Sequence, residues 1–167
     1  DTYNHLIPVG TVSSKEKEGA IGTPHSESFM HLHLGIKGHG ISLDKLGGHH
    51  VVVRNEDESI SQPGNVCMIS IASAWEPSLA PPGYHCIHAY TMEPFAGWER
   101  GPGYKEKKIE RSEKLYEALE VIIPDIRKRV VLELIASPLS PQKWLRRYKG
   151  TYGAAIRAPD MFPGPQT

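Results

Sequence analysis

The residue types in this chain that bear on chemistry are nine histidines, two cysteines, a scatter of carboxylates and one basic, aromatic cluster. His31 and His33 are two apart, so on a strand both imidazoles point the same way, as some metal sites require. His49, His50, His85 and His88 fall on other expected strands. No carboxylate joins them at a recognised metal spacing, and the H-E-x-x-H pattern is absent. Packing and hydrogen bonding within a sheet are therefore the expected roles, and no metal ligand is assigned. Cys67 and Cys86 sit in apolar strand stretches without a nucleophile motif, and are expected as inert, buried thiols. A disulfide between neighbouring strands is left open. Neither G-x-S-x-G nor a phosphate loop occurs. Glu76, Glu93 and Glu99 lie in loops near aromatics and are expected as solvated charges. No catalytic and no cofactor-binding residue follows from these patterns.

The densest cluster is Lys143, Arg146, Arg147, Lys149 and Arg157, interleaved with Trp144, Tyr148 and Tyr152. One reading is a solvated helix face with one aromatic anchored in the core. The other is a partner surface, because Trp, Tyr and Arg are enriched where binding energy concentrates. On that reading the contact candidates are Trp144, Arg146, Arg147, Tyr148 and Tyr152. Nucleic acid is disfavoured, since 19 basic residues balance 19 acidic ones.

The elements that must position these groups follow from pattern. At 167 residues the chain is one domain with tails. Fourteen prolines and 16 glycines imply much loop, and no apolar run is long enough to span a membrane. Residues 1–28 have little periodicity and read as an extended N-terminal arm, with a charged turn at 13–19. Residues 29–36 alternate, with Met30, Leu32, Leu34 and Ile36 on one face and Phe29, His31 and His33 on the other. Further strands are expected at 49–54, 66–72, 84–91 and 130–136. A helix is expected over 104–123, with Ile109, Ser112, Tyr116, Leu119 and Ile123 as its buried stripe, widened by Leu115 and Ile122. Pro124 should end it. A short helix should start at Ser140 as N-cap with Pro141 first inside, and stop at Gly150. The sum is an α+β domain over 29–157: a mostly antiparallel sheet with helices on one side, followed by a C-terminal tail at 158–167.

The stretch 137–157, SPLSPQKWLRRYKGTYGAAIR, resembles the late substrate-domain segment of the flavin-dependent carotenoid (prolycopene) isomerases, relatives of the phytoene desaturases. The family follows the equivalent GTYG with proline, where this chain has Ala154. Six earlier stretches resemble that family in order: FMHLHLG at 29–35, GHHVVV at 48–53, NVCMISIAS at 65–73, LAPPGYHCIHAYT at 79–91, EPFAGWE at 93–99 and ERSEK at 110–114. The family binds FAD through an N-terminal glycine motif and a second glycine-rich segment near its C-terminus. Here the cluster at 35–40, GIKGHG, has the wrong spacing for G-x-G-x-x-G, and the chain stops at Thr167. The resemblance thus implies a substrate-domain-like part without either flavin segment, and no bound cofactor. It implies a non-catalytic structural or linker subunit. The implied setting is a plastid, peripheral to the thylakoid membrane, on a pigment–protein complex such as a photosystem core or its light-harvesting antenna. A retained apolar groove would hold a carotenoid or a chlorophyll tail. The alternative is a flavin-dependent carotenoid cis–trans isomerase completed by another chain.

Overall fold

The computed structural model describes residues 2–152. The tail expected at 158–167, and with it Ala154 and Arg157, lies outside the described residues. Five strands form one antiparallel sheet in the order β2-β3-β4-β1-β5. They are β1 (Phe29–Lys37), β2 (His49–Val53), β3 (Val66–Ser70), β4 (Tyr84–Met92) and β5 (Val130–Ala136). The central strands β1 and β4 pair along nine residues, from Phe29↔Met92 to Lys37↔Tyr84.

Alternation sorts the side chains. On one face, Met30, Leu32, Leu34 and Ile36 of β1 join Cys67 and Ile69 of β3 and Ile87 and Ala89 of β4, all buried. Helix α3 (Tyr104–Ile122) covers this face. It contributes Ser112, Leu115, Tyr116, Ala118 and Leu119, a stripe at three- and four-residue steps. Ile123 and Ile126 close the core beyond it, the latter opening α4 (Ile126–Arg129). Ile109, expected in the stripe, is 55% exposed, because it falls at the edge of the buried arc centred on Leu115 and Leu119. Ala118, which the pattern did not mark, is buried at the opposite edge of that arc.

Two local expectations are corrected. The segment expected as an extended arm contains α1 (Ser14–Gly22), capped by Ser13, whose Oγ accepts from the Glu16 N–H at 3.2 Å. None of its residues is buried, so no apolar stripe announced it. The connection over 37–48 holds a single turn, α2 (Leu43–Leu46). The late helix α5 (Leu139–Leu145) starts before Ser140 and ends on Arg146 in the left-handed region (φ 56°), not at Gly150. Gly150 serves a different purpose. Its φ is +61°, and a Cβ there would meet the Pro138 carbonyl oxygen at 2.1 Å. Ser28 donates its hydroxyl to the Gly150 carbonyl at 2.7 Å, and Ser28 pairs with Thr151 as an isolated bridge. The glycine thus lets the chain after α5 dock against the start of β1.

Candidate functional site

The second face of the sheet carries the groups of chemical interest. Paired residues of antiparallel strands share a face, so the register gives its rows directly. One row runs His49–Ser70–His88–His33–Leu134 across all five strands. The next runs Val51–Met68–Tyr90–His31–Ala136. Leu132 and Leu134 on β5 are 57% and 58% exposed and Val51 on β2 is 58% exposed, so both edges of this face lack a covering layer among the described residues.

His31, His33 and His88 meet at its centre. His31 Nδ1 and His88 Nε2 are 3.0 Å apart, a hydrogen bond in which one imidazole donates and the other accepts. His33 and His88 stack with centroids 4.3 Å apart and planes 2° from parallel. His31 is the most enclosed of the three, His88 is half-buried and His33 is exposed. Burial, reinforced by the neighbouring histidines, lowers the pKa of His31 to about 4. Burial and the facing His33 lower that of His88 to about 4 as well. Desolvation lowers His33 in the same direction. All three rings are therefore neutral near pH 7, each with one nitrogen unprotonated and able to act as an acceptor. The sequence placed His31 and His33 on one face but did not bring His88 to them. The β1–β4 register, with His33 directly opposite His88, does so.

An aromatic rim encloses the cluster. Tyr90 stacks on His88 at 5.0 Å, Tyr152 stacks on Tyr90 at 5.5 Å, and Phe29 lies 4.8 Å from Tyr152. Desolvation, with Tyr152 alongside, raises the Tyr90 phenol. On the other side, His33 and His88 line a groove of about 630 Å³ whose walls are apolar: Leu79, Pro81, Val131 and Leu132.

The expected partner surface is only partly one patch. Trp144 is 73% exposed, with the Lys143 ammonium 4.5 Å from its ring, so no aromatic of α5 anchors in the core. Tyr148 packs edge-on against His25 at 5.3 Å. Arg147 donates from Nη1 to the Tyr152 carbonyl at 2.9 Å, which holds Tyr152 over the histidines. Arg146, exposed at the end of α5, completes the set. Tyr152 thus belongs to the sheet-face cluster, while Trp144 and Arg146 are exposed at the end of α5 and Tyr148 packs on His25.

Two other expectations meet different outcomes. Cys67 is buried on the helix side, where burial raises its thiol, and Cys86 is half-buried on the open side beside Gly35. Both are free, and opposite faces rule out the cross-strand disulfide. Glu93, expected in solvent, is buried. It accepts from Trp98 Nε1 at 3.2 Å, and Arg111 Nε lies 3.6 Å away. Glu76 is exposed as expected and caps a turn by accepting from the Ser78 N–H at 3.1 Å.

No family model matches the chain. It is 29% identical over 160 residues to chloroplastic prolycopene isomerases 1 and 2 of an Oncidium hybrid cultivar. It is 26% identical over 160 residues to chloroplastic prolycopene isomerase of Arabidopsis thaliana. Each match covers 94% of this chain and 27% of the relative, so the chain spans about a quarter of the length of the curated relatives it matches. The similarity to these prolycopene isomerases runs along nearly the whole chain.

Proposed function

We propose that this chain is a carotenoid-isomerase-like structural subunit that does no redox chemistry of its own. It sits in the plastid, peripheral to the thylakoid membrane, against a pigment–protein complex such as a photosystem core or its antenna. The observation that carries this reading is the half-covered sheet. One face is sealed by α3, while the other presents exposed Val51, Leu132 and Leu134 beside an aromatic rim. Apolar surface of that kind is stabilised by being covered, and a partner subunit would cover it. Trp144, Arg146, Arg147, Tyr148 and Tyr152, on α5 and the segment after it, are the residue types that concentrate contact energy. The plastid setting is supported by the chloroplastic relatives. Peripheral attachment agrees with the absence, among the described residues, of a helix long and apolar enough to cross a membrane.

A second reading is favoured by the apolar groove of about 630 Å³ and by the relatives' name. On it the open face is one wall of a carotenoid cis–trans isomerase site whose flavin is held by another chain. Detergent extraction of plastid membranes followed by native electrophoresis and pigment and flavin spectra separates the two. Stoichiometric co-migration with a chlorophyll-bearing complex, without flavin, supports the structural reading. A flavin spectrum with prolycopene isomerisation supports the second. Recovery of the chain only as a freely diffusing species overturns the first.

A further inference from the structure

We propose that His31, His33 and His88 form a binding site for a divalent first-row transition metal such as Zn2+. Three observations carry it. The ligand atoms of the three side chains all lie within 4.8 Å of one another. They come from β1 and β4, whose nine paired residues make the longest pairing in the sheet. Finally, the closest pair already has the separation a metal imposes. Metal–imidazole bonds of about 2.0–2.1 Å hold neighbouring ligand nitrogens roughly 2.9–3.4 Å apart in tetragonal or tetrahedral geometry. His31 Nδ1 and His88 Nε2 stand 3.0 Å apart.

The step from hydrogen bond to chelate is balanced without a further reactant. The imidazole that donates in the metal-free pair releases that hydrogen to solvent and takes one up on its other ring nitrogen. Both rings stay neutral, and both lone pairs then face the metal. His33 is exposed, so rotation about its side-chain bonds brings its nitrogen the remaining distance. Three imidazoles favour zinc or copper over hard cations such as Mg2+ or Ca2+, which prefer oxygen ligands. The fourth position opens toward the groove lined by His33 and His88, and water fills it. This site is independent of the structural reading above: a partner covering the face and a metal at its centre are separate claims.

The test is isothermal titration of the full chain, first stripped with a chelator, using Zn2+ and, as a hard-cation control, Mg2+. Cobalt(II) substitution reports geometry through its visible spectrum. The expected result is one Zn2+ per chain, no Mg2+ heat, and a tetrahedral cobalt spectrum. His33→Ala, at an exposed position, and His88→Ala should each weaken Zn2+ binding by more than the roughly 10–100-fold that loss of an outer-shell partner costs. His39→Ala, outside the cluster, should leave it unchanged. Thermal melts without metal show whether each variant is folded, and His33→Ala remains decisive if His88→Ala is not. Zn2+ affinity equal in wild type and His33→Ala, or stoichiometric Mg2+ competition, would overturn the proposal.

Discussion

The same strands build two faces of opposite character. Toward α3, every second residue of β1 is a fully buried aliphatic, and Cys67, Ile69, Ile87 and Ala89 continue the layer. One residue along each strand, the open face holds imidazoles, phenols, a thiol and uncovered leucines. The covered face sets the fold and the open face sets what the fold presents. Changes on the first should therefore cost stability, and changes on the second should cost interactions.

The largest effect separates the faces most sharply. Leu119→Ala opens a cavity between α3 and the sheet, with an expected loss of about 2–5 kcal/mol in urea denaturation. Leu134→Ala on the open face of β5 should stay within about 0.5 kcal/mol of wild type. Comparable losses at the two positions would mean that the open face is covered after all.

Gly150→Ala comes next. It sharpens the comparison, because Gly150 ties the chain that carries Tyr152 to the start of β1. An added Cβ meets a backbone carbonyl at a positive φ, so the expected cost is about 2–3 kcal/mol. The Tyr152–Tyr90 stack should loosen with it, read as increased fluorescence quenching of the tyrosines by added iodide.

How much of this was legible in the sequence divides along the same line. β1 and β4 show in the sequence as alternation and α3 as an apolar stripe, because burial on one face writes a period into the chain, whereas β2 and β3 show as β-branched and apolar runs. α1 escaped because it buries nothing and so leaves no period. His31 and His33 were placed on a common face, yet the cluster was not, because which strand lies beside β1 is a matter of topology. Residues 33 and 88 are neighbours only through the β1–β4 register. Glu93 is hidden from the sequence for a related reason: Trp98 lies five residues on, but Arg111 reaches it only once α3 has packed.

The histidine cluster makes a pH test of the open face. An unfolded histidine titrates near 6.5, whereas folded His31 and His88 titrate at about 4. Between those values the unfolded chain binds more protons than the folded one, so stability falls as pH drops. The contribution is complete above about pH 6.5 and is lost by about pH 4. The groups facing the pair are His33, Tyr90 and Tyr152, none of them acidic, so no carboxylate among these neighbours opposes the trend. Thermal melts of metal-free protein from pH 7 to pH 4 should show a falling midpoint. The slope should flatten in a His31→Phe, His88→Phe double variant, which keeps the aromatic layer and removes the titration. An unchanged slope would mean that the two imidazoles are as accessible to protons folded as unfolded.

The smallest effect on stability carries the most for function. Among the described residues Trp144 is not part of the core, its ring meeting Lys143 while most of its surface faces solvent. Trp144→Ala should change the folding free energy by less than about 0.5 kcal/mol. Yet a mostly exposed tryptophan beside Arg146 and Tyr148 is the type of residue whose truncation costs about 2 kcal/mol or more at an interface. Native electrophoresis of membrane extracts carrying this variant should show the chain partly released from the complex it is proposed to join, with its melting temperature intact. Full retention would move the contact to Val51, Leu132 and Leu134 on the sheet itself. There a paired Leu132→Ser, Leu134→Ser change should release the chain while leaving the α3-covered core untouched.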